Sequence, residues 1–116
     1  MKIAKIVELL NASVQCSEEN LEQEVCSACG SDMMSDVLAF VKNQAVLLTG
    51  LVNPQVIRTA DMMDMRCIVF VRNKRPSEEM IKLAAENNII IMTTEYRMYE
   101  ACGILYTNGL KASNGE

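Results

Sequence analysis

The chain has 116 residues, of which 50% are hydrophobic, 22% charged and 4% aromatic, with no Trp and no His. This composition is typical of a soluble globular domain whose core is built from aliphatic residues and methionines. The formal net charge of -4 argues against a nucleic-acid or anionic-membrane surface, since both favour a basic face.

The first ten residues, MKIAKIVELL, are too short and too charged for a signal peptide. No apolar run approaches the roughly 18 residues of a membrane span. We therefore expect a cytoplasmic protein whose five cysteines stay reduced.

The first part of the chain predicts one helix and two short strands. Apolar residues recur from Ile3 to Leu10 with the i, i+3, i+4, i+7 spacing of an amphipathic helix. A short strand over 13–16, an acidic turn over 18–20 and a second strand near 24–29 are expected to follow.

Three apolar runs of strand length recur in the second part of the chain, and their first residues are 22 positions apart. They are Ala45–Thr49, Cys67–Val71 and Ile89–Thr93. Because they are continuously apolar rather than alternating, they indicate strands buried on both faces, as in a parallel sheet covered by helices.

Helix starts follow each of these runs. Asn53 before Pro54 is typical of an N-cap followed by proline in the first helical turn. Pro76–Glu79 predicts another helix start, with a cap residue and two acidic residues in the first turn. Thr94 is predicted to cap a last helix that ends near Asn108.

These elements predict an α/β fold, with a small parallel or mixed sheet and helices on both faces. Three consecutive short strand–helix units would follow the N-terminal helix and the two short strands. We expect a single domain over residues 1–110 and a flexible C-terminal tail over 111–116.

The segment CSACGSDMMSDVLAF, residues 26–40, begins like a metal or redox site. If 25–29 is a strand, however, Cys26 and Cys29 point to opposite faces and cannot share a metal. Burial as small hydrophobic residues is the favoured interpretation for all five cysteines. A redox or iron-sulfur site that uses Cys26 and Cys29 is the alternative.

The same segment carries two Ser-Asp pairs, Ser31-Asp32 and Ser35-Asp36, around Met33-Met34. Ser35 is predicted to cap a helix, and the first pair suits a turn. A single helix cap needs only one of these polar residues, so the two pairs could instead line a polar pocket. Solvated caps flanking core methionines are an equally acceptable interpretation.

Ligands of open α/β sheets bind outside the carboxyl ends of the strands. In this chain those ends gather small polar residues and three cations, which favours a small anionic ligand; ordinary caps and a solvated basic loop are the alternative. The candidate residues are Thr49, Gly50, Asn53, Thr94, Arg72, Lys74 and Arg75.

No catalytic motif is present: the sequence has no phosphate-binding loop, no GxGxxG and no His for acid–base chemistry. We expect a protein that is not an enzyme and that needs no cofactor and no metal.

Three motifs occur at matching places in a known family: Val46–Gly50, Ile68–Val71 before Pro76, and Ile91–Thr94 followed by Tyr99–Cys102. With the order of elements, they make about residues 1–110 resemble the DRTGG domain. That family is similar to the N-terminal domain of bacterial HPr kinase/phosphorylase. It also occurs in some phosphotransacetylases and between the CBS modules of some regulatory pyrophosphatases.

The resemblance implies a regulatory or assembly module rather than a catalyst, and Arg58 matches the family's arginine. The sequence departs from the family's pattern at two places. Asn53-Pro54 replaces the expected aspartate, and Val71–Arg75 stands where Thr-Gly-Gly is expected.

The leading interpretation is a non-enzymatic module that forms a homodimer and binds a partner protein or a small anionic ligand. An adaptable interface could use exposed methionines, although the core is the alternative for them and the favoured one for Met63. The methionines concerned are Met33, Met34, Met62, Met63 and Met65. The predicted ligand-binding residues are Ser31, Asp32, Ser35, Thr49, Gly50, Asn53, Arg58, Arg72 and Thr94.

Overall fold

The computed structural model describes residues 1–40 and 44–112, which form five strands, five α-helices and one short 3-10 turn. The helices are α1 (Ile3–Leu10), α2 (Met34–Phe40), α3 (Pro54–Met62), α4 (Glu78–Glu86) and α5 (Met98–Thr107). The strands are β1 (Ser13–Cys16), β2 (Ser27–Gly30), β3 (Ala45–Thr49), β4 (Cys67–Phe70) and β5 (Ile90–Thr93), and the 3-10 turn is Glu18–Asn20.

The strands form one mixed sheet in the order β1-β5-β4-β3-β2. Strands β2 to β5 run parallel, and β1 pairs antiparallel with β5. The predicted α/β class with a small mixed sheet is confirmed. Because the four parallel strands share one direction, their carboxyl ends meet at one edge, which we call the carboxyl edge.

The sheet separates two hydrophobic cores. One core packs α1 and α5 against residues such as Val46, Val69 and Met92. The other packs α2, α3 and α4 against the intervening residues, such as Leu47 and Ile68. Every residue of β3, β4 and β5 is buried, so the continuous apolar runs are explained by helices on both faces.

Two of the predicted helix caps are present. The Asn53 Oδ1 accepts a hydrogen bond from the Gln55 amide at 2.8 Å, with Pro54 in the first turn. The Ser77 Oγ accepts one from the Met80 amide at 3.2 Å. These caps satisfy amides that the helices leave without an intrahelical partner.

Two other cap predictions are wrong. Ser35 lies inside α2, which begins at Met34, and α5 begins four residues after Thr94. The Thr94 hydroxyl instead donates to the Leu10 carbonyl at 2.8 Å. It therefore satisfies a carbonyl at the end of α1 and ties that helix to the end of β5.

The predicted strand over 24–29 is displaced, since β2 spans Ser27–Gly30 and Cys26 precedes it. The five methionines considered for an interface divide between surface and core, and Met63 packs against the core as favoured. Met65 is fully buried, whereas Met33 and Met62 are 61% and 71% exposed. Met34 and Met63 are half-buried against the core of α2, α3 and α4.

The predicted C-terminal tail is described only in its first two residues. The Lys111 carbonyl accepts a hydrogen bond from the Ala28 amide at 2.9 Å, and Ala112 forms a bridge with Ala28. Residues 113–116 of that tail lie outside the described part of the chain. None of the helices within 1–40 and 44–112 has the length and apolarity needed to cross a membrane.

A cap substitution tests the start of α3. Replacing Asn53 with alanine removes the acceptor for the Gln55 amide, so we expect the free energy of unfolding to fall by about 1 kcal/mol. Urea denaturation measures the change. Asn53→Asp keeps an acceptor and is expected to retain most of that stability; an equal loss in both variants would show that the side chain does not act as a cap.

Candidate functional site

The Asp32 side chain joins the ends of β2 and β3 at the carboxyl edge. Its Oδ1 accepts hydrogen bonds from the Gly50 amide at 2.7 Å and from the Thr49 hydroxyl at 3.0 Å. The Thr49 hydroxyl in turn accepts from the Leu51 amide at 3.1 Å. This network fixes the backbone just beyond β3, where a bound molecule would meet it.

Arg72 lies directly over Gly50. A Cβ atom at position 50 would meet the Arg72 guanidinium, so the guanidinium occupies space that the absence of a side chain at Gly50 leaves open. Gly50 thus has a packing role at this edge. It gives the guanidinium room there, and its backbone does not adopt a positive φ.

A tight turn positions Arg72 after β4. The Lys74 amide donates to the Val71 carbonyl at 3.1 Å, and the φ angles of Arg72 and Asn73 are 59° and 55°. These values are those of a type I′ turn, in which two non-glycine residues adopt the left-handed region at a cost of about 1 kcal/mol each. The Arg72 and Asn73 amides donate to the carbonyls of the β5–α5 loop at 2.8 Å and hold the turn in place.

Two adjoining pockets share Arg72 and Arg97, and together we call them the arginine cleft. One has a volume of about 430 Å³, the other about 590 Å³. Both volumes lie in the range of small-molecule sites. The cleft is lined by Gly30, Ser31, Asp32, Val71, Arg72, Lys74, Glu95, Arg97, Met98 and Tyr99.

The charge of the arginine cleft is positive on balance. Arg72, Lys74 and Arg97 supply three cations, against the carboxylates of Asp32 and Glu95. All ion pairs found within 1–40 and 44–112 lie elsewhere in the molecule. None of the three cations therefore forms an ion pair with a carboxylate of the described residues. The Asp32 Oδ1 atom already accepts two hydrogen bonds.

The structure brings together five of the predicted ligand-binding residues and separates the other four. Ser31, Asp32, Thr49, Gly50 and Arg72 lie in the arginine cleft or directly beneath it. The residues outside are Ser35 on α2, the cap residue Asn53, Arg58 on the exposed face of α3, and Thr94.

Thr94 lines a different pocket, which we call the threonine pocket. It has a volume of about 490 Å³ and lies between the end of β5, the end of α1 and the β4–α4 loop. The Thr94 hydroxyl already donates to Leu10 and accepts from the Tyr96 amide at 3.3 Å. Both of these bonds are internal, so this hydroxyl has a structural role.

Arg97 is the residue that sequence reasoning missed. The sequence predicts a helix that starts at Thr94 and therefore includes Arg97. In the structure Arg97 precedes α5 and occupies its N-cap position, where its side chain makes no capping hydrogen bond. The true start of α5 would have revealed this residue. Because the helix begins at Met98, Arg97 belongs to the loop after β5 and lies at the carboxyl edge.

The cysteines do not form a metal or redox centre among the described residues. The interpretation of all five cysteines as buried residues is wrong for Cys26, which is exposed, while Cys29 is half-buried in β2. Burial raises the pKa values of the Cys29 and Cys102 thiols, which keeps them in the unreactive protonated form. No group of three or more potential metal ligands occurs within 1–40 and 44–112.

Comparison with known proteins identifies the family. The sequence matches the profile of the DRTGG domain over residues 5–110. The chain therefore belongs to the DRTGG domain family, and the resemblance seen in the sequence is confirmed. No curated protein matches the chain in sequence.

A solved structure has a similar fold. It contains the CBS and DRTGG domains of the regulatory region of Clostridium perfringens pyrophosphatase, complexed with its activator diadenosine tetraphosphate. The match has a TM-score of 0.73 and 20% sequence identity, and it covers 90% of this chain. The chain spans 45% of the length of that neighbour.

Removing the Asp32 carboxylate tests the network beneath the cleft. In Asp32→Ala the buried Thr49 hydroxyl and the Gly50 amide lose their acceptor, so we expect the free energy of unfolding to fall by about 1–3 kcal/mol. Chemical denaturation measures this, with Asp32→Asn as the matched control because the asparagine oxygen can accept both bonds. A wild-type stability for Asp32→Ala would contradict the network.

Proposed function

We propose that this chain is a regulatory module, without catalytic activity of its own, that binds a small anionic ligand in the arginine cleft. The proposed unit is the single domain of residues 1–110, acting in the cytoplasm. The observation that carries the proposal is the cluster of Arg72, Lys74 and Arg97 around one cleft, without carboxylate partners among the described residues.

The placement of Arg72 supports a binding role. Its backbone adopts a left-handed conformation, and its guanidinium lies over the one position at the edge of β3 that lacks a side chain. Backbone strain of this kind persists where the surroundings impose it and is often found at functional sites. A guanidinium also matches the geometry of carboxylate and phosphate oxygens.

The family supports a regulatory role. The neighbour from Clostridium perfringens is a regulatory region, and its activator carries phosphate groups. A phosphate-bearing nucleotide is therefore the first ligand to test here. In this proposal, ligand binding changes the behaviour of a partner protein, and that partner supplies the chemistry.

Charge removal tests the ligand site. We expect diadenosine tetraphosphate or ATP to bind, and Arg72→Gln and Arg97→Gln each to weaken binding by about 10-fold or more, because each removes a charge-assisted hydrogen bond. Isothermal titration calorimetry measures both affinities, and inorganic phosphate serves as the minimal probe.

Arg58→Gln is the matched control, since it removes one exposed cation from α3 outside the arginine cleft. It is expected to bind as the wild type does. Equal weakening in all three variants would indicate a general charge effect, and unchanged binding in Arg72→Gln and Arg97→Gln would refute the cleft as the site.

We further propose that two copies of the chain associate through α5. Its exposed side carries Tyr99 at 90% and Tyr106 at 56% exposure, beside Gly103 and the half-buried Ile104. These residues border an apolar groove of about 610 Å³. Tyrosine is enriched at protein interfaces because it buries a large area and keeps a polar tip.

Sedimentation velocity tests this dimer. We expect the wild type to sediment as a dimer and the double variant Tyr99→Asp/Tyr106→Asp to sediment as a folded monomer, since the charges would be desolvated in the interface. Met62→Asp, on α3, is the matched control and should remain dimeric. A monomeric wild type, or a dimeric double variant, would exclude α5 as the dimer surface.

A further inference from the structure

The threonine pocket is separate from the arginine cleft and has a different chemistry. It lies on the β1 side of the carboxyl edge, where Ser13 of β1 pairs with Thr93 of β5. Its lining residues are Leu10, Asn11, Ser13, Asn73, Arg75, Thr93, Thr94, Glu95, Tyr96 and Glu100.

Thr93, a largely buried residue, gives this pocket a hydroxyl that has no hydrogen-bond partner among the described residues. The residue is 5% exposed, and its hydroxyl makes no hydrogen bond to residues 1–40 or 44–112. The hydroxyls that are both unpaired and sealed from solvent belong to Ser27 and Thr59 instead. The Thr93 hydroxyl therefore reaches the open space of the pocket, where a ligand could complete its hydrogen bonding.

Both signs of charge face the threonine pocket. Arg75 contributes a guanidinium from the β4–α4 loop, while Glu95 and Glu100 contribute carboxylates from the β5–α5 loop and the first turn of α5. None of the three takes part in an ion pair within the described ranges. A simple anion would be repelled by the two carboxylates, and a simple amine would leave the Arg75 guanidinium without an anionic partner.

From this arrangement we infer that the threonine pocket binds a small zwitterion of the α-amino-acid class. The ammonium group pairs with Glu95 and Glu100, and the carboxylate pairs with Arg75 and accepts a hydrogen bond from the Thr93 hydroxyl. The volume of about 490 Å³ accommodates such a molecule together with bridging waters. This second site takes a ligand of a different class from the one proposed for the arginine cleft, and Glu95 lines both sites.

The test is isothermal titration calorimetry of the full chain with each of the twenty free amino acids at millimolar concentration. At least one is expected to bind. The N-acetyl and α-amide derivatives of the tightest binder each lose one charge and are expected to bind about 10-fold or more weakly. A panel in which no amino acid binds, or a binder indifferent to both derivatives, would overturn the inference.

Variants locate the site. Arg75→Gln and Glu100→Gln should each weaken binding by about 10-fold or more, and Thr93→Val, which keeps the shape of the side chain, by about 3- to 10-fold. Arg75→Gln and Glu100→Gln are surface changes that leave the core intact, so they remain informative if Thr93→Val does not fold. Arg72→Gln and Arg97→Gln alter the arginine cleft alone and should bind amino acids as the wild type does. Binding that survives Arg75→Gln and Glu100→Gln, or that is lost in Arg72→Gln, would place the site elsewhere.

Discussion

The burial of β3, β4 and β5 on both faces is the constraint on which the rest of the structure depends. A strand covered by helices on each side has no solvent-facing side chains, so it offers no place for polar chemistry. Polar and charged groups are therefore confined to the loops beyond the strand ends. The parallel direction of β2 to β5 then brings four such loops to one carboxyl edge.

The turn after β4 divides that edge into two sites. Arg72 lines the arginine cleft on one side, while Asn73 and Arg75 line the threonine pocket on the other. The amides of Arg72 and Asn73 are bonded to the loop after β5, which also contributes Glu95 to both sites. This single turn is thus held in place by the loop after β5.

The fold could be predicted because hydrophobic patterning determines it. The apolar runs, their regular spacing and the Asn53-Pro54 cap were sufficient to predict the parallel strands and the helices between them. The first and last residues of individual helices were harder to predict. Thr94, for example, is a residue type that often caps helices, but here its hydroxyl donates a hydrogen bond to Leu10. Its bond to Leu10 joins residues 84 positions apart, and no local pattern reveals such a contact.

The candidate site could be predicted only in part. Thr49, Gly50 and Arg72 were found because the carboxyl ends of parallel strands must meet. Asp32 was found because its segment carries more Ser-Asp pairs than one helix cap requires. Asn53 and Arg58 were included because they follow the same strand or match a family motif, yet the direction of α3 carries Arg58 outward. Arg97 was missed because its position depends on where α5 begins, and the separation of Thr94 from the arginine cleft depends on the antiparallel pairing of β1 with β5.

Backbone amide chemical shifts, followed during titration of the ¹⁵N-labelled protein with diadenosine tetraphosphate, test the central claim most directly. The account predicts that the largest shifts occur at Gly50, Arg72 and Arg97 to Tyr99, around the arginine cleft. Shifts confined to the α2–α3 face, or no shifts at saturating nucleotide, would contradict it.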